Sequence, residues 1–348
     1  MNSTLATIVA FPIVLGVLIF VHELGHFTMA KTWGVHVYEF ALGFPPRVAS
    51  LTRGGTVYAI NIIPLGGYVK MMGENGDDAE NPESFGYKPW WQRAMVLTAG
   101  PAMNLLLALF LFFITAAWLG SPVGTNVVAS VSAKSPAQLA GIRPGDRIVA
   151  IDGHPTNTLD QIHKYTYGSH LGHSVTITYV RGSHRYVISL VPRKPPPATG
   201  AVGISVSLRE QRYAFGTAVQ KSFQGVGDMI MAVPNLVNSI GKHGTTQLSG
   251  PVGIAHLTGQ AASDIPQYGV GQFLAFVALL SANLGVLNLL PIPALDGGRL
   301  VFVLISGIRR KNLNPEVEGM IHLVGMAVLV LLILVISYQD IIRWASGQ

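Results

Sequence analysis

Val21-His22-Glu23-Leu24-Gly25-His26 is the stretch from which the rest of the chain is read. It has the form H-E-x-x-H. On a helix, two histidines four residues apart share one face and can bind one metal. Glu23 follows His22 by about 100° of helical rotation, so its carboxylate stands beside such a metal rather than on it. A general base that takes a proton from an activated water has to stand there. The motif closes an apolar run from Leu5 to Val21. Ionisable residues in such a run are costly and usually functional.

Composition sets the class. Of 348 residues, 49% are hydrophobic and only 11% charged, and the mean hydropathy is +0.43. Average soluble domains carry roughly 25% charged residues, so a membrane protein with a polar domain attached is expected. The net charge of +6 comes from basic residues spread along the chain. That points to membrane topology and contact with an anionic lipid bilayer, with no nucleic-acid partner. There is no cysteine, so a zinc site has to use histidine and carboxylate. The first apolar segment has no basic leader and carries the metal motif, which argues against a cleaved signal peptide.

Four segments reach the length of about 20 apolar residues that a bilayer requires: Leu5 to Ala30, Ala94 to Leu119, Val270 to Leu290 and Met320 to Tyr338. Lys31, Arg47, Arg53, Lys70, Lys88 and Arg93 follow the first span, and Arg299, Arg309, Arg310 and Lys311 separate the third from the fourth. The positive-inside rule places both basic regions in the cytoplasm, and both termini and residues 121–269 outside. Lys31 lies about 7.5 Å along the helix from His26, which sets the metal motif near the cytoplasmic side of the membrane.

Val35 to Phe40 and Thr56 to Ile63 read as strands around Gly54-Gly55, with Pro64-Leu65-Gly66-Gly67 turning the chain afterwards. Such a hairpin either offers a free edge to an extended peptide or packs the cytoplasmic side. Glu74–Glu83 reads as a loop. Residues 125–192 read as an α/β module closed by Lys194-Pro195-Pro196-Pro197, a stiff linker. Its His163, His170, His173 and His184 read as surface residues. Ala214 to Ile240 is expected to be helical, interrupted at Pro234, with an apolar face for the outer membrane surface.

A catalytic zinc wants three protein ligands. The third candidate is Asp296, in Asn288-Leu289-Leu290-Pro291-Ile292-Pro293-Ala294-Leu295-Asp296-Gly297-Gly298. Two prolines break the third span there and bring the acid to the depth of His26. The alternative is that Asp296 caps a helix over Arg299 to Ile308. Asn104 reads as a packing residue near the site, and His322 as a membrane-edge residue without chemistry.

His22–His26 together with Leu295-Asp296-Gly297 resembles the motif pair of the site-2 protease family of intramembrane zinc metalloproteases, in particular its RseP-type (regulator of sigma-E protease) branch. The likeness spans nearly the whole chain. Pro64 to Lys70, Ala99-Gly100-Pro101-Ala102-Met103-Asn104, Ser249 to Ile254 and Asn288 to Gly298 look like family segments. Ala140-Gly141-Ile142-Arg143-Pro144-Gly145-Asp146 resembles a PDZ domain. RseP itself carries tandem PDZ domains, and this chain resembles the single-PDZ members. It also departs at Gly43-Phe44-Pro45, where Pro45 removes a backbone donor.

The resemblance implies a polytopic α-helical membrane protein with four transmembrane helices, a membrane-associated β-hairpin or sheet, and an inserted extracytoplasmic PDZ domain. The expected divisions are 1–31 (first span), 32–92 (β region and loop), 93–120 (second span), 121–199 (PDZ), 200–269 (amphipathic region), 270–318 (third span, aspartate motif and cytoplasmic loop) and 319–348 (fourth span). It implies a Zn2+ cofactor on His22, His26 and Asp296, with Glu23 as catalytic base. Asn288 and Asn283 would bind the unwound substrate, or else make contacts between helices. The implied partners are single-span transmembrane proteins, either a pre-cut anti-sigma factor or signal-peptide remnants, in a bacterial cytoplasmic (inner) membrane. Two rival readings are a non-catalytic PDZ-bearing membrane adaptor with a structural zinc and a metal transporter. An intact Glu23 speaks against the first, and the lack of internal repeats against the second.

Overall fold

The computed structural model describes residues 3–74, 78, 80–197, 200–243, 250–310 and 314–345. In chain order the elements are α1 (Ser3–Thr32), β1 (Val37–Arg53), β2 (Thr56–Met71), α2 (Trp90–Ile114), β3 (Ser121–Val131), α3 (Pro136–Leu139), β4 (Arg147–Ile151), β5 (His154–Pro155) and α4 (Leu159–Thr166). Then come β6 (Val175–Arg181), β7 (His184–Leu190), β8 (Ile204–Gln211), α5 (Phe215–His243), α6 (Pro251–Ser263), α7 (Ile265–Tyr268), α8 (Val270–Leu289), α9 (Asp296–Arg309) and α10 (Pro315–Ala345). They fall into two compact units, one of residues 1–117 with 214–348 and one of Trp118–Tyr213.

The larger unit is a helical bundle. Four of its helices are long and apolar enough to cross a membrane: Thr4–Thr32, Trp90–Leu119, Val270–Leu289 and Glu316–Ile342. Few charges interrupt them, so nearly every backbone polar group must be satisfied within its own helix, as lipid requires. Helix α2 is the hub and packs against α1, α5, α8 and α9. Two glycines set the closeness of α1 to its neighbours. A Cβ on Gly25 would lie 2.3 Å from the Ala99 carbonyl oxygen, and one on Gly259 would lie 1.8 Å from Thr7 Oγ1.

The β-hairpin is larger than expected. The sequence pattern ends its strands near Phe40 and Ile63, with a turn at Pro64. Instead β1 runs to Arg53 and β2 runs through Pro64 to Met71. Arg47 to Arg53 pairs with Asn61 to Thr56 around Gly54-Gly55, both at positive φ, as a two-residue hairpin turn needs. The segment Glu39 to Leu42 is then paired twice, with Val57 to Ile60 and with Gly67 to Lys70. The second pairing explains why the chain stays extended past the proline. The inner face of this sheet joins α1, α2 and α9 in one core of Ala30, Val35, Phe40, Val69, Met71, Val96, Leu97 and Val303. The loop reading of Glu74–Glu83 falls partly outside the described residues. Helix α5 continues through Pro234, where an interruption was expected. One missing N–H removes a single backbone bond, and the flanking turns carry the helix across it.

The smaller unit is an antiparallel sheet of order β7-β6-β4-β3-β8, with β5 paired to β4. Its core is Val128, Ile142, Ile148, Ile151, Ile162, Ile177 and Tyr179. Ser135 caps α3 by accepting from the Gln138 N–H, and Thr158 caps α4 by accepting from the Gln161 N–H. Strand β8 lies beyond the expected boundary at 199 and pairs with β3, so the compact unit reaches Tyr213.

Asp146 is fully buried in this unit. Arg181 reaches it with two bonds, Nε to Oδ1 at 2.7 Å and Nη2 to Oδ2 at 2.8 Å, and the Arg143 N–H donates to Oδ2 at 2.8 Å. Burial pushes the carboxyl up, but these charge-assisted bonds outweigh it and hold the carboxyl below its ordinary value. A lowered folded-state value stabilises the unit above the unfolded carboxyl's pKa of about 3.9, and the gain is lost as pH falls through the folded value. Asp146→Ala is expected to cost the unit about 2 kcal/mol near neutral pH, a roughly thirtyfold faster exchange of the β4 and β6 amides. Hydrogen exchange on the full-length protein checks this, and the difference between variant and parent should shrink in acid.

Candidate metal centre

Helix α1 turns His22 and His26 to one face, where their Nε2 atoms stand 3.2 Å apart. Asp296 opens α9, and its Oδ2 lies 3.0 Å from His22 Nε2 and 3.4 Å from His26 Nε2. Two residues of α1 thus meet one from 270 positions further along. Both histidines are buried. The capping alternative for Asp296 does not hold, since Leu295 is the N-cap of α9 and no side-chain bond caps that end. Among the described residues this is the only group of three metal-ligating side chains so closely gathered. The histidines of the smaller unit form no such group.

The chemistry of the cluster can be read from its hydrogen bonds. His26 Nδ1 is 2.8 Å from the Val96 carbonyl oxygen. A carbonyl can only accept, so Nδ1 carries a proton, and in the neutral imidazole Nε2 then presents a lone pair. That lone pair faces the second imidazole and a carboxylate oxygen. Donor atoms this close, with both histidines buried, need a positive charge shared among them, either a proton or a metal cation. Zinc bonds of 2.0–2.1 Å in a tetrahedron separate the donors by about 3.3 Å, and the three separations here are 3.0, 3.2 and 3.4 Å. The residues therefore fit a zinc ion, and two histidines with one carboxylate are a catalytic ligand set.

Close packing holds the imidazoles in place. A Cβ on Gly100 of α2 would stand 2.3 Å from His26 Nε2. A Cβ on Gly67 of β2 would stand 3.2 Å from Glu23 Cγ and 3.0 Å from the Ala41 carbonyl oxygen. Both positions need the missing side chain. The centre opens onto a cavity of about 590 Å³. Glu23 lines it beside His22, His26 and Asp296, together with the β2 segment Gly67, Tyr68, Val69 and Met71. Its other wall is charged, with Glu74, Arg93, Arg299, Glu318 and His322. Glu74 and Arg299 form an ion pair across it.

Two residues read only as packing or edge positions prove to touch the centre or its loop. Asn104 of α2 is fully buried, and its side-chain nitrogen lies 3.3 Å from His22 Nδ1. His322 of α10 accepts at Nδ1 from the Ala294 N–H at 2.9 Å, which holds the loop before Asp296. Ala294 has φ of +77°, a region costly for a residue with a Cβ, so the pin opposes real strain. Spacing gave no signal for either, because each partner is more than 25 residues away. Asn288 sits half-buried in the last turn of α8 and Asn283 is exposed on the same helix. Neither lines the cavity.

A helix-borne H-E-x-x-H, completed by a remote aspartate in a chain with four membrane-length apolar helices, defines the class of membrane metallopeptidases. The model of Peptidase family M50 matches residues 10–332, and the chain belongs to that family. It is similar along its whole length to bacterial proteins named zinc metalloprotease RasP. The RasP of Geobacillus kaustophilus is 30% identical, over 98% of this chain and 99% of the relative. The RasP of Oceanobacillus iheyensis is 30% identical over 97% and 99%, and that of Shouchella clausii 30% over 98% and 100%.

Gly100→Ala tests the packing of the centre. The added methyl overlaps the His26 ring, so zinc retained after purification should fall at least about tenfold, as for other losses of ligand orientation. Metal analysis of the purified variant beside the parent checks this. Full zinc content would show that the ring can move aside without loss.

Proposed function

We propose that this peptidase is an intramembrane zinc endopeptidase that cuts the transmembrane segments of single-span membrane proteins. The observation that carries the reading is the convergence of His22, His26 and Asp296 within 3.4 Å of one another beside Glu23, with His22, Glu23 and His26 on a helix of membrane-spanning character. In this reading those three residues hold the zinc. The bound ion supplies Lewis acidity, which polarises a peptide carbonyl and makes a water nucleophilic near neutral pH. Glu23 takes the proton of the attacking water and passes it to the leaving amine. An adaptor with a structural zinc has no need of that carboxylate.

A transmembrane substrate must first give up helical hydrogen bonds. The segment Gly67–Met71 of β2 lines the cavity and is paired on one side, to β1. Its other side suits an unwound substrate added as a further strand. Val48, Leu51, Ile60 and Ile62 of the same sheet are exposed, which supports a membrane-associated hairpin. Asn288 and Asn283 lie on α8 outside the cavity; the proposal has them pair with bared substrate backbone before it reaches the centre. The Lys and Arg bias of the sequence supports an inner-membrane orientation with the smaller unit extracytoplasmic. Its succession of capped helices and strands supports a PDZ domain, there to restrict entry to substrates already trimmed outside, whether an anti-sigma factor or signal-peptide remnants.

Glu23→Gln should keep its zinc and lose cleavage of a tagged single-span peptide by at least about a hundredfold, the scale of general-base catalysis. Retained cleavage in the zinc-loaded variant would exclude Glu23 as the base. Asn288→Ala should slow cleavage of a helical substrate more than that of a peptide already extended. Equal effects on both would remove the unwinding role.

A further inference from the structure

We propose that Asn104 is a positioning residue for the metal centre: its side-chain oxygen holds the Nδ1–H of His22, so that His22 presents a free lone pair at Nε2. The inference rests on the reading of His22, His26 and Asp296 as zinc ligands. Asn104 is fully buried, and its amide lies 3.3 Å from His22 Nδ1. Its Oδ1, also buried, has no hydrogen-bond partner. The Ser281 hydroxyl donates to the Asn104 backbone carbonyl at 2.7 Å, which anchors this turn of α2 to α8.

The two ends of the amide have opposite consequences. With the NH2 toward Nδ1, the imidazole must accept there and carry its proton on Nε2, the atom 3.0 Å from Asp296 Oδ2. A proton at that position excludes a metal. With the oxygen toward Nδ1, the proton stays on Nδ1 and Nε2 is free. A half-turn of the amide leaves its shape unchanged, so metal loading selects the orientation with oxygen inward. His26 already has the equivalent partner in the Val96 carbonyl. Helix α2 therefore supplies the acceptor behind each imidazole, one from its backbone and one from a side chain.

The test uses the full-length protein in detergent, with zinc affinity measured by competition against a chromophoric chelator. Asn104→Leu keeps the volume and removes the acceptor; it should weaken zinc binding by 10- to 100-fold, a typical loss for such a partner. The unfolding midpoint of the metal-free protein should hardly move. Asn104→Asp restores an acceptor and should bind zinc at least as tightly as the parent. Zinc affinity of Asn104→Leu within about threefold of the parent would overturn the inference. If Asn104→Leu does not fold, Asn104→Asp decides, and a loss of tenfold or more there counts against the inference. A parent that binds no zinc, or binds it equally well as His22→Ala, would sink the metal centre and this inference with it. A zinc-binding parent with an indifferent Asn104→Leu would sink this inference alone.

Discussion

The close gathering of three side chains able to hold a metal is the constraint around which the larger unit is built. The Nε2 atoms of His22 and His26 and a carboxylate oxygen of Asp296 are held within 3.4 Å in a largely apolar bundle. Without a shared positive charge such a cluster would open. The surrounding fold works against that opening. Helix α1 fixes the two histidines, the loop pinned by His322 delivers Asp296, and α2 braces the back of both rings.

That bracing depends on residues with almost no side chain. Gly25 lets α1 lie against the Ala99 carbonyl, and Gly100 leaves room for the His26 ring. Small residues bring helix backbones close in membranes, where no hydrophobic force between helices helps. Here the closeness has a chemical consequence, because it sets the distance between imidazole and orienting acceptor. Gly67 brings β2 equally near Glu23. His22, His26, Asp296, Glu23 and the β2 segment thus line one cavity.

The hairpin shows how a local signal can mislead. Pro64-Leu65-Gly66-Gly67 has turn composition, yet the chain remains extended there. Pairing of Gly67 to Lys70 with Leu42 to Glu39 outweighs the local preference. Residues past the proline belong to the sheet and lie along the cavity. A short hairpin ending at Ile63 would leave that wall open.

Much of the architecture follows from one-dimensional pattern. Four apolar runs, H-E-x-x-H at helical spacing and the capped elements of the inserted module are local features, and local physics suffices to read them. The pairing of residues 22 and 26 with 296 was legible only as a chemical requirement for a third ligand; tertiary structure alone brought Asp296 within 3.4 Å of both imidazoles and left it without a capping bond. It also decided that β8 closes the smaller sheet, that Asn104 stands behind His22, and that Asn288 and Asn283 stay outside the cavity. Each of these depends on contacts between residues far apart in the chain or on which face of a helix turns inward. Composition and spacing carry no record of that, because periodicity marks an apolar face without naming what it packs against.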